Sequence, residues 1–190
     1  MGPVVVFDTE TNGATFPDGR LDTSNQEIVQ LAWIVSYPNG TETRKNHIIR
    51  GATHINYRVP HSITIEYTRT HGEEFAVAVD EFMSDVMAAD VVIAHNISFD
   101  RIVIVNAMKL NNIPSLTFER KLRTHGFCNM YKHVNVCKIL GRTGKNKKPT
   151  LSETYNYYYN EMPSGALHDA LYDCEVTLMC YKEYKKTVVK

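Results

Sequence analysis

Apolar and polar positions alternate along the chain in a way that predicts strands first and helices later. Residues 3–8, centred on Val4-Val5-Val6-Phe7, read as a strand buried on both faces. Residues 27–36 and 42–50 read as two more strands. Tyr37-Pro38-Asn39-Gly40 joins them as a turn, because proline presets φ and Asn-Gly tolerates φ > 0. Between the first two strands, the polar, glycine-containing stretch 12–26 reads as a surface loop. From Glu73 to Ala89, Phe75, Val79, Phe82, Met83 and Val86 recur with a helical period. A short strand at 91–94 follows, then a helix from Phe99 to about Asn111. Residues 112–150 carry no clear period and read as irregular, ending in the basic loop from Arg142 to Lys148. Leu151 to Tyr159 reads as a helix, Pro163-Ser164-Gly165 breaks it, and Ala166 to about Lys186 forms the last one. No repeat or linker divides residues 1–190, so one domain is expected: an α/β sheet with helices on its faces.

Three places break this apolar pattern with acids. Asp8 and Glu10 stand at the end of the first strand and, two residues apart, share one face at about 6–7 Å along the chain. Asp100 follows the apolar run 91–94 in His95-Asn96-Ile97-Ser98-Phe99-Asp100, and Asp173 lies in His168-Asp169-Ala170-Leu171-Tyr172-Asp173. On the last helix, Ala170, Cys174, Thr177, Leu178 and Tyr181 form an inward stripe, and Asp173 falls about 60° from Ala170 at its edge. A carboxylate facing a sheet needs a partner or a metal. Asp169 reads instead as a helix N-terminal acid favoured by the macrodipole. His168, just past the Pro-Ser-Gly break, is expected at the helix start, free to swing over the acids. Four acids and a histidine suit a two-metal phosphodiesterase, in which two divalent ions about 3.5–4 Å apart serve the attacking water and the leaving oxygen. Magnesium and manganese prefer such oxygen ligands.

Asp8-Thr9-Glu10, Asn96-x-x-Phe99-Asp100 and His168-x-Ala170-x-x-Asp173 together resemble the three motifs of the DEDDh-type 3′–5′ exonuclease superfamily, which includes the proofreading subunits of bacterial replicases. The resemblance runs from residue 4 to about residue 185. It implies a ribonuclease-H-like fold with a mixed five-stranded sheet flanked by helices. It also implies that Asp8 bridges two Mg²⁺ or Mn²⁺ ions, that Glu10 and Asp173 complete one and Asp100 acts on the other, and that His168 is the general base. Thr9, Thr11, His95, Asn96 and Phe99 would lie beside the terminal nucleotide, although Phe99 reads equally well as core. His61, in Pro60-His61-Ser62-Ile63-Thr64, would approach the substrate. The sequence departs from the family at Asn56, where a glutamate often stands, and at Cys128-Asn129-Met130, where members tend to carry Asp-Thr. The implied substrate is a single-stranded or frayed DNA 3′ end, the product a nucleoside monophosphate, and a DNA polymerase a possible partner. An RNA-trimming enzyme and a non-catalytic nucleic-acid-binding module are the rival readings.

Composition narrows the setting. With 21 basic and 21 acidic residues the formal net charge is zero, so contacts with nucleic acid should be local rather than global. The loop 142–148 reads either as a track for a phosphate backbone or as a solvated loop, and the tyrosines at 155 and 157–159 as packing rather than base stacking. The four cysteines have neither Cys-x-x-Cys nor zinc spacing with His125 and His133, which points to reduced thiols and an intracellular setting. Neither a membrane-spanning run nor the apolar core of a signal peptide is present in the sequence.

Overall fold

In the computed structural model, which describes residues 2–165 and 167–188, five strands form one mixed sheet in the order β3-β2-β1-β4-β5. These are β1 (Val4–Thr11), β2 (Ile28–Ser36), β3 (Glu42–Ile48), β4 (Val91–Ala94) and β5 (Gly126–Cys128). The first three pair antiparallel, while β4 lies parallel to β1 and β5 parallel to β4. The chain winds outward from β1 to β3, then returns to β1's other side. The carboxyl ends of β1 and β4 therefore meet where the winding reverses, the position at which open α/β sheets form a crevice.

Strand alternation divides the core into two layers. Val5 and Phe7 point to one face, joined there by Leu31 and Trp33 of β2 and by the helices α2 (Phe75–Ala88), α3 (Ile97–Leu110) and α4 (Leu116–His125). Val6 points to the other, with Ile34, Ile93 and Cys174, Leu178 and Tyr181 of α7 (Ala170–Val188). The helical period expected over 73–89 is present: Phe75, Ala78, Val79, Phe82 and Val86 are all buried. Phe82 is fully buried, with its ring 5.3 Å from those of both Phe7 and Trp33. The hairpin turn also stands where proline and glycine predict it, with Gly40 at φ 87°.

Three expectations are corrected, and one unexpected helix is added. The region 112–150 is not irregular: it contains α4, β5 and α5 (Asn129–Cys137). α4 buries only Phe118 and Leu122, a stripe one turn long, and α5 buries the polar pair Asn129 and His133, so neither shows an extended apolar stripe. β5 is three residues long and exists through its pairing with β4. A further helix, α1 (Ile65–His71), buries only Thr68 and begins at Thr64, whose Oγ1 accepts the Tyr67 N–H at 3.1 Å. α3 starts at Ile97 rather than Phe99. The last helix starts at Ala170, so Leu167–Asp169 precede it, and the expected start at Ala166 lies outside the described residues. α6 (Leu151–Tyr159) matches its expected span and opens with a capping box between Thr150 and Glu153.

Replacing Phe82 with Ala should lower stability by about 3–5 kcal/mol, because it empties the centre of the larger layer. Urea denaturation checks this as a fall in midpoint at unchanged slope; a change under about 1 kcal/mol would mean that the layer refills the cavity.

Candidate active site

β1 carries its acids beyond its parallel partner. The register with β4 runs from Val4–Val91 to Val6–Ile93, so the end of β1 projects past the paired segment. Asp8 and Glu10 follow Val6 onto the α7 face, opposite Ala32 and Gln30 of β2, and a register shift after Glu10 bends the strand end. Thr9 points the other way, and its hydroxyl donates to Asp100 Oδ1 at 2.8 Å. Asp100 itself comes from the first turn of α3 and is buried.

The third segment is set by the start of α7. Asp169 caps that helix: its Oδ1 accepts the N–H groups of Leu171 and Tyr172, both at 3.1 Å. This agrees with its reading as a helix N-terminal acid. Gln30, buried on β2 directly across from Glu10, clamps the same turn. Its Oε1 accepts the Ala170 N–H at 3.1 Å and its Nε2 donates to Asp169 Oδ2 at 3.2 Å. His168, just before the helix, has φ +71°, a left-handed conformation unusual for a side-chain-bearing residue. Its backbone N–H donates to Asp173 Oδ2 at 3.3 Å. Ligating atoms of Glu10, His168 and Asp173 all lie within 4.8 Å of one another.

Burial and mutual repulsion dominate the electrostatics. Burial pushes the Asp8 carboxyl well above the usual range, and the charges of Asp100, Asp173 and Glu10 add to it. Glu10 is raised from 4.5 to about 8, by burial first and then by Asp173 and Asp100. Asp100 rises to about 7 through burial, against the stabilising Thr9 hydroxyl. Burial also raises Asp173 to about 6, against the His168 N–H. Asp173 Oδ1 is buried with no hydrogen-bond partner. An orphaned buried carboxylate oxygen among three further acids is a donor set that fits a divalent cation.

A cleft of about 480 Å³ holds this group. Asp8, Thr9, Glu10, His95, Asn96, Phe99, Asp100, His168 and Asp173 line it, nine of the eleven residues singled out from sequence. Thr11 and His61 are not brought to it. The Thr11 hydroxyl donates to Gln26 Oε1 at 2.7 Å. Both ring nitrogens of His61 are engaged: Nδ1 accepts the Ile63 N–H at 3.2 Å, and Nε2 meets the Thr11 carbonyl at 2.8 Å. His61 thus fastens its loop to the end of β1. Asn56 does the same, donating from its backbone to the Asn12 carbonyl at 2.8 Å and from its side chain to Gly13 at 3.2 Å. Gly13 must be glycine here, with φ +65° and a Cβ position only 2.3 Å from Val59 Cγ1.

Sequence reasoning did not place one wall of the cleft, although it named Lys148 within the basic loop and Met130 within a departure from the family pattern. Met130 and the run Lys148-Pro149-Thr150-Leu151 line it as well. His95 connects that wall to β4: its Nδ1 accepts from Asn129 Nδ2 at 3.2 Å, which leaves Nε2 to donate to the Pro149 carbonyl at 3.2 Å. Burial lowers His95 to about 4, so it holds this wall as a neutral ring. The signal available in sequence was the capping box Thr150-x-x-Glu153, which marks where the chain turns into α6.

Residues 5–181 match the family model RNase_T, described as exonuclease. The chain belongs to this exonuclease family. That agrees with the superfamily its three motifs resemble. Among solved structures it is similar to E. coli exonuclease I bound to a dT13 oligonucleotide, with TM-score 0.71, 16% identity, and coverage of 97% of this chain and 41% of that one. The zinc-bound E. coli ExoI–ssDNA complex gives 0.73 and 18%, covering 100% and 41%. Exonuclease X in complex with 5′ overhanging duplex DNA gives 0.64 and 19%, covering 98% and 93%. At these identities the likeness is one of fold, and it makes this domain ribonuclease-H-like. The chain spans about 41% of the length of exonuclease I. No curated protein matches it in sequence. Among the described residues no helix is long and apolar enough to cross a membrane.

The raised carboxyls fix a sign for pH dependence. An acid whose folded pKa exceeds its unfolded value binds extra protons in the folded state, so stability falls as pH rises between the two. With a chelator present, the protein should lose stability from about pH 4, where the unfolded acids begin to titrate, through about pH 8, where Glu10 is half charged. Asp8→Asn should flatten that loss. Urea midpoints at pH 5 and pH 8 check both, and a midpoint that rises equally in the two proteins would contradict them.

Proposed function

We propose that this exonuclease domain removes nucleoside monophosphates one at a time from single-stranded or mismatched DNA 3′ ends, in proofreading or repair beside a DNA polymerase. The observation that carries the reading is the convergence of Asp8, Glu10, Asp100, Asp173 and His168 in one cleft of an exonuclease-family fold. The fold's likeness to exonuclease I with bound dT13 and to exonuclease X with overhanging DNA supports DNA as the polymer.

In this reading Asp8, Glu10, Asp100 and Asp173 hold two magnesium or manganese ions. These would neutralise the acids and stabilise the charge that develops on the phosphate and leaving oxygens. His168 takes a proton from the attacking water, the role an imidazole fills near neutral pH. Water adds to phosphorus, the bond to the 3′ oxygen breaks, that oxygen takes a proton from solvent to become the 3′-hydroxyl of the shortened strand, and a 5′-monophosphate leaves. Thr9, His95, Asn96 and Phe99 shape the pocket for the terminal nucleotide. Asp100 is oriented by the Thr9 hydroxyl, and His168 by the turn that Gln30 clamps.

Asp8→Asn should reduce hydrolysis in magnesium by orders of magnitude while the protein stays folded, because it removes one of several mutually repelling charges. Hydrolysis of a 5′-labelled single-stranded oligonucleotide, with circular dichroism as the folding control, measures this. Activity retained near the wild-type level would overturn the assignment of the acids.

Substrate choice should follow strand separation rather than base identity. A matched end must give up stacking of about 1.4 kcal/mol per base step before it reaches the cleft, and a mismatched end largely avoids this. A time course should show single-stranded and mismatched DNA shortened from the 3′ end faster than matched duplex. Faster loss of matched ends, internal cleavage, or a preference for RNA oligonucleotides of the same sequence would each refute the DNA reading.

A further inference from the structure

The lining of the cleft raises a question of charge. It contains four carboxylates but only one lysine or arginine, Lys148. A lysine beside like-charged acids is expected to pair with one of them. Among the described residues Lys148 forms no ion pair with any; its ammonium lies over the ring of Tyr131 on α5, 4.4 Å from the centroid. Lys148 is exposed, as is half of Tyr131.

The neighbouring cations are differently disposed. Lys147 is bound to Glu153 Oε1 at 2.5 Å, the same glutamate that closes the capping box of α6. Arg142 and Lys145 belong to the exposed turn around Gly144, whose base is closed by the pairing of Leu140 with Asn146. Of the basic loop, Lys148 alone lines the cleft. The residue after it is anchored: Pro149 is buried, and its carbonyl receives the His95 ring.

We propose that Lys148 is a nucleic-acid contact that holds a backbone phosphate next to, and not at, the phosphate being cut. The proposal rests on the exonuclease reading of the cleft and deepens it by assigning the strand's path from the acids toward α5. Asp8, Glu10, Asp100 and Asp173 serve the scissile phosphate, which leaves Lys148, in the same lining but paired with none of them, for another phosphate of the strand. The Tyr131 ring favours this position of the ammonium and leaves its protons for phosphate oxygens. His95 is a positioning residue for this contact, since it fixes the carbonyl that follows Lys148.

Two measurements test it separately from the chemistry. Binding of a fluorescent single-stranded DNA 12-mer is followed by anisotropy across salt concentrations in Asp8→Asn protein, with and without Lys148→Gln. Loss of one phosphate contact should weaken binding several-fold at low salt and make the slope of log K against log salt shallower by about 0.7. Lys145→Gln, in the exposed turn, should leave the slope unchanged. Hydrolysis of thymidine 5′-monophosphate p-nitrophenyl ester, which has no second phosphate, is compared between wild type and Lys148→Gln with Asp8 intact, and should be equal. Parallel salt lines for the two proteins would overturn the proposal, as would equal flattening in Lys145→Gln. A shifted magnesium requirement for the ester in Lys148→Gln would also overturn it, by making Lys148 a counter-charge to the acids. If wild type fails to cleave the ester, the exonuclease reading of the acids fails, and the salt slope still decides Lys148.

Discussion

Repulsion between carboxylates in one cleft is the constraint around which this domain is arranged. Asp8, Glu10, Asp100 and Asp173 arrive from β1, α3 and α7, and each is driven toward its neutral form by burial first and then by neighbouring carboxylates. Nothing in the acids themselves holds them together. The apolar layers on either side of the sheet do so, and strand alternation ties the two together. The residues that anchor β1, Val5 and Phe7 on one face and Val6 on the other, set which side its acids take. A frame of buried valine, isoleucine and phenylalanine is stiff, so the charges cannot relax apart by moving the strand.

A second set of contacts tunes this frame with neutral polar groups. Gln30 spans β2, Asn46 and the first turn of α7, so the strand opposite Glu10 also locates His168 and Asp173. Thr9 donates to Asp100 from the reverse face of β1. His95 joins the end of β4 to Pro149 and Asn129. Each of these residues touches an acid-bearing element without adding charge, which orders the walls of the cleft by neutral contacts alone.

The departures from the superfamily pattern acquire a physical role in this setting. Asn56 is spent on fastening a loop to the turn after β1. In Cys128-Asn129-Met130, the thiol and the amide both bond to His95, and Met130 faces the cleft. This wall of the cleft is therefore built from neutral and apolar groups plus Lys148.

How much of this was legible in advance depends on whether the signal was local. Val4 to Phe7, the 28–36 run and the helical stripe from Phe75 to Val86 announce their elements because burial imposes a period on consecutive residues. Asp8, Glu10, Asp100, Asp173 and His168 stand out for the complementary reason: acids at the ends of buried elements break that period. Other features left no such trace. β5 is a strand only because β4 lies beside it, and α5 turns Asn129 and His133 inward where apolar residues would have marked a helix. Thr11 and His61 carry suitable side chains, yet hydrogen bonds to Gln26, Ile63 and the β1 backbone engage them away from the cleft. Sequence alone determined which elements form around periodic apolar runs and which acids they carry. Tertiary structure decided which neutral and basic side chains complete the cleft, because those placements rest on single contacts between distant segments rather than on any repeating pattern.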